Sequence, residues 1–416
     1  MNPIRVESGL KTQFGHPPRI LAAWRDASLR ALAAGARTPF YLFSPHPVVE
    51  RMAGLERLDF GVPSTHWLSC KTQPVPALLC WWRKQGRPVE VVSEFEFLLA
   101  REAGFDDILI NGPAKHRWLG RVSGLGQRVH FDSLTELRTL LPVAVRQKWR
   151  TGLRICTSQE IDPGDPTTPT QFGFDPSEVP EAVRTLRGAG LMPEQVHFHL
   201  RTNVAEAGVY AAAANEALAV CAAAGWQPSI LDCGGGLPPP YITALDGGRY
   251  DARMSLQQYA AELRGVVRRH KHLRGIWLEN GRHVLAGSGL LAVRVIDLKE
   301  RRGVRQAICD GGRTMNALIS TWENHALLPL KKGRGVYTET LVYGPTCMAF
   351  DRMSTAPLPA ALAPGDVLLW FDAGAYHLPW ETRFSHGSAE VWWDEDGVVK
   401  KIRPAESFES FNKPWI

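Results

Sequence analysis

The chain lacks the marks of several common protein classes. Its seven cysteines (70, 80, 156, 221, 233, 309 and 347) form no CxxC pair and no Cys/His cluster. That excludes a disulfide scaffold and a zinc-finger type of metal site, and it fits a reducing, cytoplasmic setting. No apolar run approaches the length of a membrane span, and residues 1–18 carry no apolar core of the signal-peptide kind. Low-complexity segments and short internal repeats are absent. The one run of three glycines, Gly234-Gly235-Gly236, lacks the spacing of a P-loop or a dinucleotide fingerprint. Charge of one sign is scarce too: 48 Lys and Arg against 42 Asp and Glu leave a net +6. The short cluster Arg268-Arg269-His270-Lys271 reads as a solvated helix face, so no nucleic-acid partner is expected.

What is present is ordinary soluble material in unusual order. With 416 residues, 44% apolar and 22% charged, the chain is long enough for two domains. The 14 tryptophans call for broad cores or a sizeable buried subunit contact. Eight short strand-like runs recur at 67–70, 89–93, 108–111, 129–133, 152–156, 196–200, 230–233 and 276–280. Helical stretches alternate with them, for example 75–85, 94–103, 177–188, 205–224 and 255–271, the fourth starting after a possible N-cap at Asn203 and ending at Gly225. The alternation predicts an α/β chain folded as a (β/α)8 TIM barrel; a doubly wound sheet shares the pattern. Beyond residue 286 the texture turns β-rich, at 290–298, 304–309, 335–343, 366–371 and 389–393. The expected division is an N-terminal segment (1–37) packing on either domain, a barrel (38–285) and a separate C-terminal all-β domain (286–416).

Polar residues gather where the strand-like runs end: Lys71, Ser93, Asn111, Asp132, Arg154, His197 with His199, Asp232, and Glu279 with Arg282. In a barrel those ends share one face, where chemistry is carried out. Lys71 closes an apolar run, and a half-buried ammonium is costly to desolvate; desolvation also turns a lysine into a nucleophile able to form an imine. The glycine triplet exposes backbone N–H groups suited to a phosphate, or is simply a flexible turn. Glu279 could bind a protonated ring nitrogen and Arg282 a phosphate, or the two could pair to stabilise a loop. His197 and His199 share one strand face. They are metal ligands, a stacking platform for an aromatic cofactor, or hydrogen-bonded core residues; with no third ligand at suitable spacing, no metal is expected. Cys347, after the turn Gly344-Pro345, is either a positioned acid or a core filler.

Taken in order, Ser69-Cys70-Lys71, Val92-Ser93, Phe131-Asp132-Ser133, His197-Phe198-His199, Gly234–Gly236, Glu279 to Arg282, Gly344 to Cys347 and Asp372 to Tyr376 resemble the landmarks of the fold-type III pyridoxal-phosphate decarboxylases, the family of diaminopimelate and eukaryotic-type ornithine decarboxylases. The resemblance implies that Lys71 carries pyridoxal 5'-phosphate covalently and that His199 stacks on its ring. Glu279 would pair with the ring nitrogen. Gly234, Gly235, Gly236, Arg282, Tyr376 and Thr202 would hold the phosphate. Cys347 would reach the active site of a partner subunit and return a proton to the substrate carbon, so a homodimer with shared sites is implied. Three departures stand out. Met348 replaces an acid that usually binds the substrate's far amino group, Arg201 replaces a glycine before Thr202, and Asn280 replaces a proline. The distal pocket is therefore expected to differ, with Arg201 and Arg313 as candidates to meet a distal carboxylate. The expected activity is decarboxylation of an amino acid with an acidic or acylated side arm, as in siderophore or antibiotic biosynthesis. A diaminopimelate decarboxylase of lysine biosynthesis, an amino-acid racemase and a non-catalytic binding protein are the alternatives.

Overall fold

A computed structural model describes residues 14–160, 167–316, 321, 323–331 and 335–415. Residues 1–13 of the expected N-terminal segment lie outside the described residues. The chain divides into two compact units, one of residues 51–238 and 251–283, the other of residues 1–50, 239–250 and 284–416. Its first elements are helix α1 (Pro18–Ala33), strand β1 (Phe40–Phe43) and helix α2 (His46–Glu56).

The first unit is the barrel. Its strands are β2 (Ser64–His66), β3 (Leu68–Ser69), β4 (Val89–Val91), β5 (Ile108–Ile110), β6 (Arg128–Phe131), β7 (Arg150–Arg154), β8 (Gln195–His197) and β9 (Ile230–Asp232); after β10 (Thr243–Ala244), which belongs to the other unit, comes β11 (Gly275–Leu278). All barrel pairings are parallel, in the order β2-β11-β9-β8-β7-β6-β5-β4-β3. β2 and β3 are one stave broken at Trp67, whose N–H bonds the Leu278 carbonyl at 2.8 Å. The eight expected runs are thus the eight staves. They are short and mostly apolar throughout because a parallel sheet is covered on both faces.

Helices α3 (Pro76–Lys84), α4 (Glu94–Glu102), α5 (Leu119–Val122), α6 (Leu134–Arg146), α7 (Val179–Gly188), α8 (Ala207–Ala223) and α9 (Leu256–Arg269) fill the connections. Two strand ends become helix caps at once: the Ser93 hydroxyl accepts from the Glu96 N–H at 3.3 Å, and Ser133 from the Glu136 N–H at 3.2 Å. Ser93, one of the strand-end polar residues, therefore serves α4. Asn203 is not a cap. It takes a left-handed φ of +56°, and α8 starts at Ala207 after Glu206 with no side-chain cap. Gly225, at φ +65°, does end that helix.

The second unit is a mixed β-sheet. β12 (Gly289–Arg301), β13 (Val304–Cys309), helix α11 (Arg313–Asn316), β14 (Glu323–Asn324), β15 (Leu327–Pro329), β16 (Tyr337–Tyr343), β17 (Arg352–Pro359), β18 (Val367–Trp370), β19 (Glu390–Glu395) and β20 (Val398–Arg403) follow the short helix α10 (Gly281–Leu285). Its strand order is β17-β16-β13-β12-β1-β19-β20, with β18 bonded to β12 and β15. β1 therefore belongs here and not to a barrel beginning at residue 38, and residues 239–250 belong here as well. All four β1 residues are buried, and an unbroken apolar run does not say which sheet it joins. Leu21, Trp24, Ala27 and Ala31 of α1 pack on Phe40, Leu42, Leu290, Leu369 and Trp392 of this sheet. Among the described residues, eleven tryptophans are buried, which places those in cores.

One buried ion pair braces the barrel wall. Lys115 and Glu136 are fully buried, with Nζ 2.7 Å from Oε1. Glu136 also accepts from the N–H groups of Lys115 (2.9 Å) and Asp132 (3.0 Å). Removing one partner of such a pair strands the other charge. Glu136→Ala is expected to cost about 3–5 kcal/mol in urea unfolding, and the double change Lys115→Met with Glu136→Leu to recover most of it.

Candidate active site

Several barrel strands deliver chemical groups at their carboxyl ends. After β3 the chain makes a single helical turn, Cys70–Thr72. Cys70 and Thr72 are buried, whereas the Lys71 side chain keeps 39% of its exposure. Its ammonium lies 3.3 Å from Glu90 Oε2, and the Ser69 hydroxyl donates to the same oxygen at 2.7 Å. Glu90 is fully buried between Val89 and Val91. The strand's alternation turns it to the opposite face from those valines. Close by, burial and the Glu90 charge push the Glu96 carboxyl up to about 7.

Glu279 follows β11 and is buried. It accepts from Asn111 Nδ2 at 2.5 Å, and its N–H donates to the Gly234 carbonyl at 2.7 Å. Burial, then the neighbouring Asp232 and Glu90 carboxylates, raise it well above the usual carboxylate range. Asp232 is pushed up to about 7 by its own burial, while its Oδ1 accepts from the Gly234 N–H at 2.9 Å. The pair is short of positive charge, and a protonated heterocyclic nitrogen would supply it.

The glycine triplet is required by close packing. A methyl group at Gly235 would lie 2.6 Å from the Glu279 carbonyl, and one at Gly236 would lie 2.7 Å from the Arg201 carbonyl. Gly234 and Gly236 also take φ of +59° and +109°. The Gly235 N–H donates to His199 Nδ1 at 3.2 Å, so the neutral imidazole carries its proton on Nε2. Burial, with the Arg154 and Lys71 cations, pushes the half-buried His199 down to about 3. Arg201 is half-buried and Thr202 exposed. Arg282, buried, opens α10 beside Gly281, where any side chain would strike Thr72.

The barrel unit therefore gathers Lys71, His199, Gly234–Gly236, Glu279 and Arg282 on its carboxyl-end loops, with Arg201 and Thr202 in the segment after His199. His197 lies deeper. Its ring is 5.0 Å from that of His130, and neither ring nitrogen of either residue has a hydrogen-bond partner. The donor atoms of His130, His197 and Glu279 fall within 4.8 Å of one another. A third group of ligand type is thus at hand, although no spacing in the sequence pointed to one. Cys347, Met348, Arg313 and Tyr376 belong to the β unit. Cys347 is exposed, Tyr376 takes φ +66°, and the Arg313 guanidinium donates to the Phe350 carbonyl (3.1 Å) and the Thr321 hydroxyl (2.8 Å). Sequence reasoning missed Glu90, His130 and Lys115; for Glu90 the signal was a lone acid inside an apolar three-residue strand.

The family model described as pyridoxal-dependent decarboxylase, pyridoxal binding domain, matches residues 56–286. The chain belongs to this family. It is 28% identical to a diaminopimelate decarboxylase of Deinococcus radiodurans, over 86% of this chain and 90% of that protein. Against the L-glutamyl-(BtrI acyl-carrier protein) decarboxylase of Niallia circulans the identity is 27%, over 85% and 87%. The diaminopimelate decarboxylase of Helicobacter pylori, solved with L-lysine, superposes with a TM-score of 0.79 at 21% identity, covering 93% of this chain and 99% of that one. That likeness carries the fold, a barrel with a separate β domain. The protein is a pyridoxal-phosphate-dependent amino-acid decarboxylase, and its glycine cradle and cation-seeking carboxyl pair fit that cofactor. No helix among the described residues is long and apolar enough to cross a membrane.

Three buried histidines and the half-buried His199 give a pH test. Burial is the first cause of low values at His66 and His283 (about 4) and at His130 and His199 (about 3). Unfolded imidazoles titrate near 6.5. These groups therefore lend stability fully above about 6.5, and that share drains as pH falls towards 4 and 3. In a spectrum of histidine-labelled apoprotein, these four imidazoles should keep neutral-form shifts from pH 8 to pH 5.

Proposed function

We propose that this decarboxylase acts on an amino acid whose side arm is acidic or acylated, in siderophore or other secondary metabolism, as a cytoplasmic homodimer with shared active sites. The observation that carries the reading is Met348, in the place where the family usually has an acid. A distal ammonium bound without a carboxylate would be desolvated without compensation, whereas a thioether tolerates an uncharged arm. The acyl-carrier-linked substrate named for the Niallia circulans relative supports the acylated version. A diaminopimelate decarboxylase of lysine biosynthesis is the second reading, favoured by the names of several relatives. A racemase is disfavoured because the resemblance provides a cysteine as proton donor.

Pyridoxal 5'-phosphate, when bound, supplies an electrophilic carbon and a ring that accepts the electrons left by departing carbon dioxide. Lys71 offers the nitrogen that binds it covalently, with Glu90 beside that nitrogen to balance its charge. Glu279 holds a proton at the ring nitrogen, which strengthens the electron sink. His199, kept neutral, presents its flat face to the ring. Gly234, Gly235 and Gly236 would shape the phosphate cradle by leaving it free of side chains, while Thr202, Arg282 and, by the resemblance, Tyr376 would offer a hydroxyl, a guanidinium and a phenol. Cys347 returns a proton to the α-carbon of the product. Its seven cysteines, all free thiols, suit a cytoplasmic setting.

The test is a panel of amino acids assayed for carbon dioxide release, with mass analysis of the amine. Acylated or acidic-armed substrates should exceed ornithine and lysine at least tenfold in kcat/KM. Equal turnover of free ornithine or lysine would contradict the reading.

A further inference from the structure

The loop from Gly344 to Cys347 leaves β16 and returns to β17, and one carboxylate governs its path. Asp351 is only 1% exposed. Its Oδ2 accepts from the Thr346 N–H at 3.0 Å and from the Thr346 hydroxyl at 2.6 Å. Its Oδ1 accepts from the Arg313 N–H at 2.6 Å. The Asp351 N–H donates to the Met348 carbonyl and its carbonyl accepts from the Gly344 N–H, each at 2.9 Å. The Met348 N–H in turn donates to the Thr346 hydroxyl at 3.3 Å. A methyl group at Gly344 would sit 2.5 Å from Oδ2, and one at Gly312 would strike the same carboxylate. Arg313 closes the assembly, with its guanidinium on the Phe350 carbonyl and 5.7 Å from the centre of the Phe350 ring.

Bonds to an ionised carboxylate are shorter and stronger than neutral ones, and they fix direction as well as distance. A charge buried this deeply is tolerated only when its oxygens are well bonded. Its side-chain partners here are the residue before Cys347 and the first residue of α11. Side-chain and backbone bonds together tie residues 344, 346 and 348, on both sides of the thiol, to one point.

We propose that Asp351 is the positioning residue of the cysteine loop, holding the Cys347 thiol where it delivers its proton. The proposal rests on the reading of Cys347 as proton donor, and the experiment separates the two. Four holoenzyme variants are compared with the parent: Cys347→Ala, Asp351→Asn, Thr346→Val and Thr346→Ser. Asparagine keeps the volume of Asp351 but turns one acceptor into an NH2 facing N–H donors. Asp351→Asn should lower kcat at least tenfold with KM changed less than threefold. Thr346→Val should lower kcat at least threefold, and Thr346→Ser, which keeps the hydroxyl, should match the parent. The second readout is alkylation of Cys347 by iodoacetamide, mapped by peptide mass with the exposed Cys80 as internal reference. Its rate relative to Cys80 should change at least fivefold in Asp351→Asn and Thr346→Val and stay constant in Thr346→Ser. Parent-like kcat in Cys347→Ala sinks the donor reading and this proposal with it. A slow Cys347→Ala beside Asp351→Asn and Thr346→Val that keep kcat overturns the proposal alone, whether or not alkylation shifts. Should Asp351→Asn fail to fold, Thr346→Val decides by the same criteria.

Discussion

A carboxyl group that cannot comfortably ionise where it stands is the constraint around which the barrel is organised. Glu279 is buried at the end of the eighth stave, beside a second buried acid, Asp232, and near a third, Glu90. Negative charge accumulates there, offset in part by the Lys71 and Arg154 cations. Such a site is expensive in an empty protein and favourable around a cationic ring. His199 stays unprotonated chiefly because burial desolvates it, and the Arg154 and Lys71 cations add to that effect. Cofactor chemistry is therefore prepared by burial before any substrate arrives.

Geometry turns that electrostatic demand into a shaped cradle. The Glu279 N–H is bonded to Gly234, the Gly235 N–H to His199, and Gly236 packs on the Arg201 backbone, so ring pocket and glycine loop are one hydrogen-bonded piece. Lys71 stands on its own turn, with its ammonium 3.3 Å from Glu90 Oε2. In the proposed chemistry the nucleophile and the proton-holding carboxyl come from different strands.

Much of this was legible in the sequence because parallel barrel strands are buried on both sides and end abruptly in polar residues. The eight runs, the helix after Ser93, and the strand-end groups from Lys71 to Glu279 carried their own signals. The boundaries did not. The run 40–43 is as apolar as any barrel strand, and only its pairing with β12 and β19 assigns it to the β sheet. Asn203 has a cap's chemistry but sits in a left-handed turn three residues before Glu206. The roles of His130 and Glu90 were illegible for a different reason: each lies inside a short strand, and what it faces depends on strands distant in sequence.

The proposed chemistry depends on a covalent attachment at one barrel lysine, Lys71. Borohydride reduction of the purified holoenzyme, followed by peptide mapping, tests it most directly. The predicted result is a pyridoxyl mass increment on the peptide containing Lys71 and on no other. An increment on a different lysine, or none on protein that has taken up the cofactor, would contradict it.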